Sequence, residues 1–265
     1  MFRINYILKK PNTIVPWGET EKHLHWYGLT DGLLWINAGE SVIYEYAEPH
    51  ADSLGIQIKY NDYQLSRFIE DILELSSVIS EPIPESLYNV IEDLDDDLKS
   101  WKANYIDKSD DEFDKFYDEL YIPMSEWFYD RFLSSSHLVC GPSIGFFRCG
   151  EKLKIIWDSN CLEDGSEMWK YPRGYYEADY RDFVSEISRF LNSFMLDMDA
   201  QVSDVVSNGI SGVYVDTDGL IHENEQRKET FEQQMRKLSS EGKQENDWDR
   251  ILDLHNMMRV ELGKN

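Results

Sequence analysis

A chain of 265 residues with 42% hydrophobic and 14% aromatic side chains can bury a sizeable core and is too apolar to stay disordered. Its formal net charge of −25 repels nucleic acid and anionic membrane and attracts basic partners. No apolar run approaches the roughly 20 residues that span a bilayer.

Arg3 to Leu8 reads as a β-strand; Lys9, Lys10 and Pro11 follow at once, without the pattern of a signal peptide. Three cysteines (Cys140, Cys149 and Cys161) are an odd number with no CxxC, which argues against a disulfide framework or a zinc ribbon. The expectation is a cytoplasmic protein with reduced, buried thiols.

Leu24 to Leu29, Leu33 to Ile36 and Val42 to Tyr46, separated by Asp31-Gly32 and Asn37-Ala38-Gly39-Glu40, predict a three-stranded antiparallel meander. Leu65, Phe68, Ile69, Ile72, Leu73 and Ile79 follow helical spacing, so roughly 61–79 should be an amphipathic helix, stopped by Pro82 and Pro84. Leu87, Val90, Ile91, Leu94, Leu98 and Trp101 repeat the rhythm, with Glu92, Asp93, Asp95, Asp96 and Asp97 mostly opposite. A third helix starts at Ser109-Asp110-Asp111, with an apolar stripe from Phe113 to Phe128 and a kink expected near Tyr121 from Pro123.

Strand signals return at 143–158, a hairpin about Cys149-Gly150-Glu151, and one more strand is expected within 168–178. A long helix should cover about 180–206, and polar helices about 222–240 and 246–262 should close the chain as an antiparallel pair. The fold class is therefore α+β: an N-terminal meander and a central hairpin forming sheets, about six packing helices and a helical C-terminus. With no repeat and no long linker, one domain over 1–265 is expected, with strands in 1–60, acidic helices in 61–135 and the remainder in 136–265.

Tyr214 to Glu225 resembles a calcium loop through Asp216, Asp218 and Glu225, but its first position is Tyr214 where a carboxylate is needed, so a short strand, a turn at Asp218-Gly219 and an acid-rich helix start fit better. His23 and His25 lack a third ligand nearby. His137 and Cys140 lack an orienting group for nucleophilic catalysis. No phosphate loop, dinucleotide fingerprint, zinc-protease or serine-elbow motif is present, and no cofactor or metal is implied.

The charge is uneven. Residues 85–130 hold 15 acids and 4 bases, net −11, nearly half of the excess in 46 residues. Lysines four positions on are too few to neutralise them, and like charges crowded on one face cost stability. The candidate partner-binding residues are Glu92, Asp93, Asp96, Asp97, Trp101, Asp110, Asp111, Asp114, Tyr117 and Asp118, with Tyr105 and Tyr121 as further aromatic anchors.

Pro16-Trp17-Gly18, Leu24 to Gly32, Cys140-Gly141-Pro142-Ser143, Ile156-Trp157-Asp158-Ser159-Asn160 and Asp247-Trp248-Asp249 together resemble an uncharacterised bacterial family. The resemblance implies a bacterial cytoplasmic protein of a kind that includes immunity proteins of toxin systems, and carries no catalytic residues. With the acidity, it points to an immunity or antitoxin-like inhibitor that occludes a basic partner such as a nuclease toxin. Two alternatives stand beside it: a dispersed-site, hydrolase-like enzyme with a pocket about His25, Trp26, Trp35 and Asp158, and a nucleic-acid mimic.

Overall fold

The computed structural model describes residues 1–48, 59–159, 161–240, 242 and 244–264. Two four-stranded antiparallel sheets organise it. In the first, β1 (Phe2–Leu8), β2 (Asp31–Ala38) and β3 (Ser41–Ile43) lie in that spatial order, and β4 (Asn61–Gln64) also pairs with β2. The second runs β5 (Phe132–Ser134), β6 (Ser143–Cys149), β7 (Lys152–Asp158) and β8 (Arg173–Asp179) in spatial order.

The helices are α1 (Trp26–Leu29), α2 (Leu65–Glu74), α3 (Ser76–Ser80), α4 (Glu85–Tyr88), α5 (Leu94–Ala103), α6 (Asp110–Phe116), α7 (Ile122–Tyr129), α8 (Tyr180–Asn208), α9 (Thr217–Leu238) and α10 (Trp248–Glu261). Among the described residues, no helix is long and apolar enough to cross a membrane.

Period-two alternation makes the second sheet a wall between two cores. Ile144 and Phe146 of β6, with Leu153, Ile155 and Trp157 of β7, enter a core shared with β1–β3, α2 and α8. Phe147, with Ile156 packed alongside, faces a second core built from α4–α7 and α10. A strand buried on both sides reads as an apolar run, which is why 143–158 was legible.

Several boundaries differ from the periodicity reading. Leu24–Leu29 is not a strand: Trp26–Leu29 form a helical turn, the outer meander strand is β1, and Asp31-Gly32 begins β2 rather than turning. The run at 61–79 splits into β4, α2 and α3, because Asn61–Gln64 pair with β2 before the helical rhythm starts. The run beginning at Leu87 breaks between α4 and α5, where Val90, Asp93 and Leu94 donate to carbonyls only three residues back. Pro123 is preceded by a widened turn at Tyr117–Tyr121; the Glu119 carbonyl that Pro123 has no N–H to meet accepts from Arg250 instead (3.3 Å).

The two C-terminal helices do not pack as an antiparallel pair. Leu220, Phe231 and Leu238 of α9 belong to the first core, whereas Trp248, Ile251, Leu254 and Met258 of α10 belong to the second. The segment between them is held by a buried ion pair. Glu81 Oε2 accepts from Arg131 Nη2 (3.1 Å) and Asn246 Nδ2 (2.7 Å), and its Oε1 accepts from the backbone N–H groups of Glu245 (3.0 Å) and Asn246 (3.1 Å). Arg131 also donates to the carbonyls of Val78 and Glu81 and lies over the Trp248 ring, 5.8 Å from its centroid. Burial pushes the Arg131 guanidinium down to about 10, against the opposing pull of Glu81, so it stays charged at neutral pH. A Cβ on Gly242 would stand 2.4 Å from the Ser80 carbonyl and the Glu81 nitrogen, so only glycine lets the segment pass this close.

Removing one partner of such a pair leaves the other charge in a dry site. Glu81→Ala is expected to lose about 3–5 kcal/mol of unfolding free energy, measured by urea denaturation. A loss below about 1 kcal/mol would contradict the assigned role.

Candidate functional site

The ten residues singled out in the acidic segment separate once folded. Trp101 is fully buried in the second core, stands edge-on to Phe116 and donates its Nε1 to Glu261 (2.8 Å), so it is not an outward anchor. Asp97 is also buried and pairs with Lys264. Glu92 binds Lys154 (2.8 Å), a buried lysine that also donates to the Tyr88 carbonyl (3.2 Å). Tyr117 is half-buried, stacked on Phe113 and Tyr121, with the Lys102 ammonium over its face at 4.9 Å.

Six remain at the surface: Asp93, Asp96, Asp110, Asp111, Asp114 and Asp118 are exposed, and none makes an ion pair among the described residues. Part of this acidity has a local cause. Asp95, Asp96 and Asp97 occupy the first turn of α5, and Asp110, Asp111 and Glu112 that of α6, where the helix dipole favours negative charge. Ser109 strengthens the second start, donating Oγ (2.7 Å) and N–H (3.4 Å) to Glu112, and these bonds hold the Glu112 carboxyl below its ordinary value. Dipoles account for tolerance of the carboxylates within those turns. Asp93 sits at the N-cap of α5, where the same dipole acts, whereas Asp114 and Asp118 lie beyond the first turn of α6.

Tertiary packing adds a feature that spacing did not signal. The first turn of α5 faces the open ends of β7 and β8 across a cleft of 440 Å³. Glu92, Asp95, Asp96 and Asp158 supply four carboxylates against Lys99 and Arg173, while Tyr129, Phe132, Ile156, Trp157 and Tyr175 supply apolar surface. Asp95 ties down two of its neighbours, accepting from Lys99 (2.5 Å) and from the Tyr129 hydroxyl (2.9 Å). The Lys99 ammonium is held above its ordinary value by that bond and by the charges of Asp96 and Asp158. Arg173 lies 3.5 Å from Asp158 with both side chains largely exposed, a weak pair in water. A Cβ on Gly174 would meet the Trp157 ring at 2.5 Å, so this glycine is what lets the indole lie across β8.

The other candidate sets are not brought together. Trp26 is buried against Phe194, with its Nε1 on Asn224; Trp35 stacks on Tyr60; His25 packs on Trp17; and Asp158 lies in the acidic cleft, so these four share no pocket among the described residues. His137 packs against Tyr63, and burial pushes the Cys140 thiol up, away from nucleophile activation. The thiols are free, but Cys140 and Cys149 are only half-buried and Cys161 is exposed, contrary to the expectation of buried cysteines. Asp216 caps α9 by accepting from Gly219 N–H (3.0 Å), so Asp218 and Glu225 lie within that helix and the turn expected at Asp218-Gly219 is its first turn. Among the described residues, no group of three or more His, Cys, Asp or Glu side chains is arranged to hold a metal ion.

Fold and site together define an α+β protein of two antiparallel sheets, with an acidic cleft lined in part by aromatic side chains and with exposed aspartates on its short helices. A family model matches residues 3–254, and the chain belongs to that family, described as a family of unknown function (DUF5984). No curated protein and no solved structure matches it.

The division between buried and free side chains is measurable. Trp101→Ala is expected to cost about 3–5 kcal/mol of stability. Asp96→Asn and Asp114→Asn should each stay within about 0.5 kcal/mol of the parent in the same denaturation assay. Equal losses at all three sites would contradict the assignment.

Proposed function

We propose that this protein binds a basic protein partner and masks its cationic surface, as an immunity or antitoxin-like inhibitor of a toxin such as a nuclease. The observation that carries the reading is the set of six exposed aspartates at 93, 96, 110, 111, 114 and 118, which make no ion pair among the described residues and lie on or next to short helices; Asp96 also lines the acidic cleft. A rigid charged face speeds encounter with an oppositely charged partner and discriminates against like-charged ones. Tyr129 and Tyr175 at the cleft add large side chains, partly exposed, of the type that anchors interfaces. A cytoplasmic location belongs to the same reading, since three free thiols suit a reducing compartment.

The test is charge reversal restricted to side chains that fold does not need: Asp93, Asp96, Asp111, Asp114 and Asp118 to Lys together, with Asp97 left intact because it pairs with Lys264. The partner is sought by co-purification from the native host and its affinity measured across salt concentrations. The parent should bind less tightly as salt rises, and the variant should fold normally yet lose at least about tenfold in affinity at low salt. Salt-insensitive binding, or an undiminished variant, overturns the reading.

A further inference from the structure

Among the described residues, β1 and β8 are seven-residue edge strands, and their outer backbones differ. On β1, the outward N–H of Ile4 donates to Glu186 Oε1 (2.8 Å) and its carbonyl accepts from Arg189 Nη2 (2.6 Å), so side chains of α8 occupy that edge at Ile4. On β8 the hydrogen-bonding parity is set by flanking contacts: Ser159 N–H donates to the Pro172 carbonyl (2.8 Å) and Tyr180 N–H to the Glu151 carbonyl (2.7 Å). Alternation between them turns residues 174, 176 and 178 toward β7 and leaves the backbone groups of Arg173, Tyr175 and Glu177 pointing outward. These three residues are exposed, the strand contains no proline, and among the described residues nothing pairs with this edge. Open edges are ready templates for an added strand, and most proteins cover them.

The charge beside the edge narrows the occupant. Arg173 and Tyr175 both line the acidic cleft, whose four carboxylates outnumber its two cations. In antiparallel addition, the residues of an incoming strand whose N–H groups meet β8 lie opposite Arg173, Tyr175 and Glu177 and share their face. Their side chains are therefore delivered to the cleft. We infer that β8 accepts an extended segment of the basic partner as a fifth strand, with an Arg or Lys side chain of that segment seated in the cleft. This rests on the acidic-binding reading and adds the mode of contact to it.

The probe is a peptide of about nine residues alternating Arg and Val, titrated by fluorescence anisotropy against the full protein, with backbone amide exchange followed in parallel. Two further peptides of identical charge carry N-methyl groups on either the Arg or the Val nitrogens, and a fourth alternates Glu and Val. Binding of the Arg–Val peptide should slow exchange at Arg173, Tyr175 and Glu177. Methylation of the Arg nitrogens should weaken it at least about tenfold, while methylation of the Val nitrogens leaves it within about twofold. Equal binding of both methylated peptides, no binding of the Arg–Val peptide, or equal binding of the Glu–Val peptide overturns the inference. So does protection of the same amides in a peptide-free dimer, which would assign the edge to a second copy. A second aspartate-to-lysine variant that keeps Asp96 leaves β8 and the cleft lining untouched, so loss of its partner binding and loss of strand addition are separately visible.

Discussion

The fold depends on one dry ion pair. Arg131 and Glu81 lie between the end of α3 and the start of β5, and Glu81 also takes three donors from Glu245 and Asn246. Such a pair contributes little merely by being charged, because desolvation opposes the attraction. Its effect is positional. Every carboxylate oxygen of Glu81 is used, so the chain crossing from α9 in the first core to α10 in the second has one place to pass, beside Gly242. The Arg131 guanidinium over the Trp248 ring places the first residue of α10 at the same point.

From that anchor, the second core follows. Once α10 is fixed, Glu261 receives the Trp101 indole and the Tyr105 hydroxyl, and Lys264 meets Asp97. These contacts hold α5 with its first turn facing the open end of the second sheet. The cleft is thus a consequence of where α10 lies. Lys154 acts from the sheet side, pinning Glu92 and the Tyr88 carbonyl from a buried position. The acidic segment is clamped from behind by cations and aromatics, and what it presents outward is the unneutralised remainder.

The contrast between β1 and β8 follows from the same packing. The long helix α8 runs against β1 and has Glu186 and Arg189 in reach of its outer backbone. Its N-terminus leaves directly from β8, with Asp179 spent on capping Arg181 and Asp182 N–H groups. A helix that starts at the end of a strand cannot also lie along that strand's open edge near its beginning, so α8 does not cover Arg173 to Glu177, and among the described residues no strand pairs with that edge.

Composition and periodicity determined that this is an α+β protein, placed the 143–158 hairpin and the long helix near their true bounds, and located the charge excess in 85–130. These are local properties: apolar spacing, turn residues and summed charge need no partner to be read. Which of the acids would be free was not local. Asp97 and Asp96 are adjacent in sequence and chemically alike, yet one is buried on Lys264 and the other lines the cleft, because helical rotation and the position of the chain's far end divide them. Trp101 looked like an anchor for a partner and is core, since α6 and α10 close over it. The cleft itself unites residues 92–99 with 156–159 and 173–175, and only the register of β7 on β8 and the packing of α5 above them bring those stretches to one place.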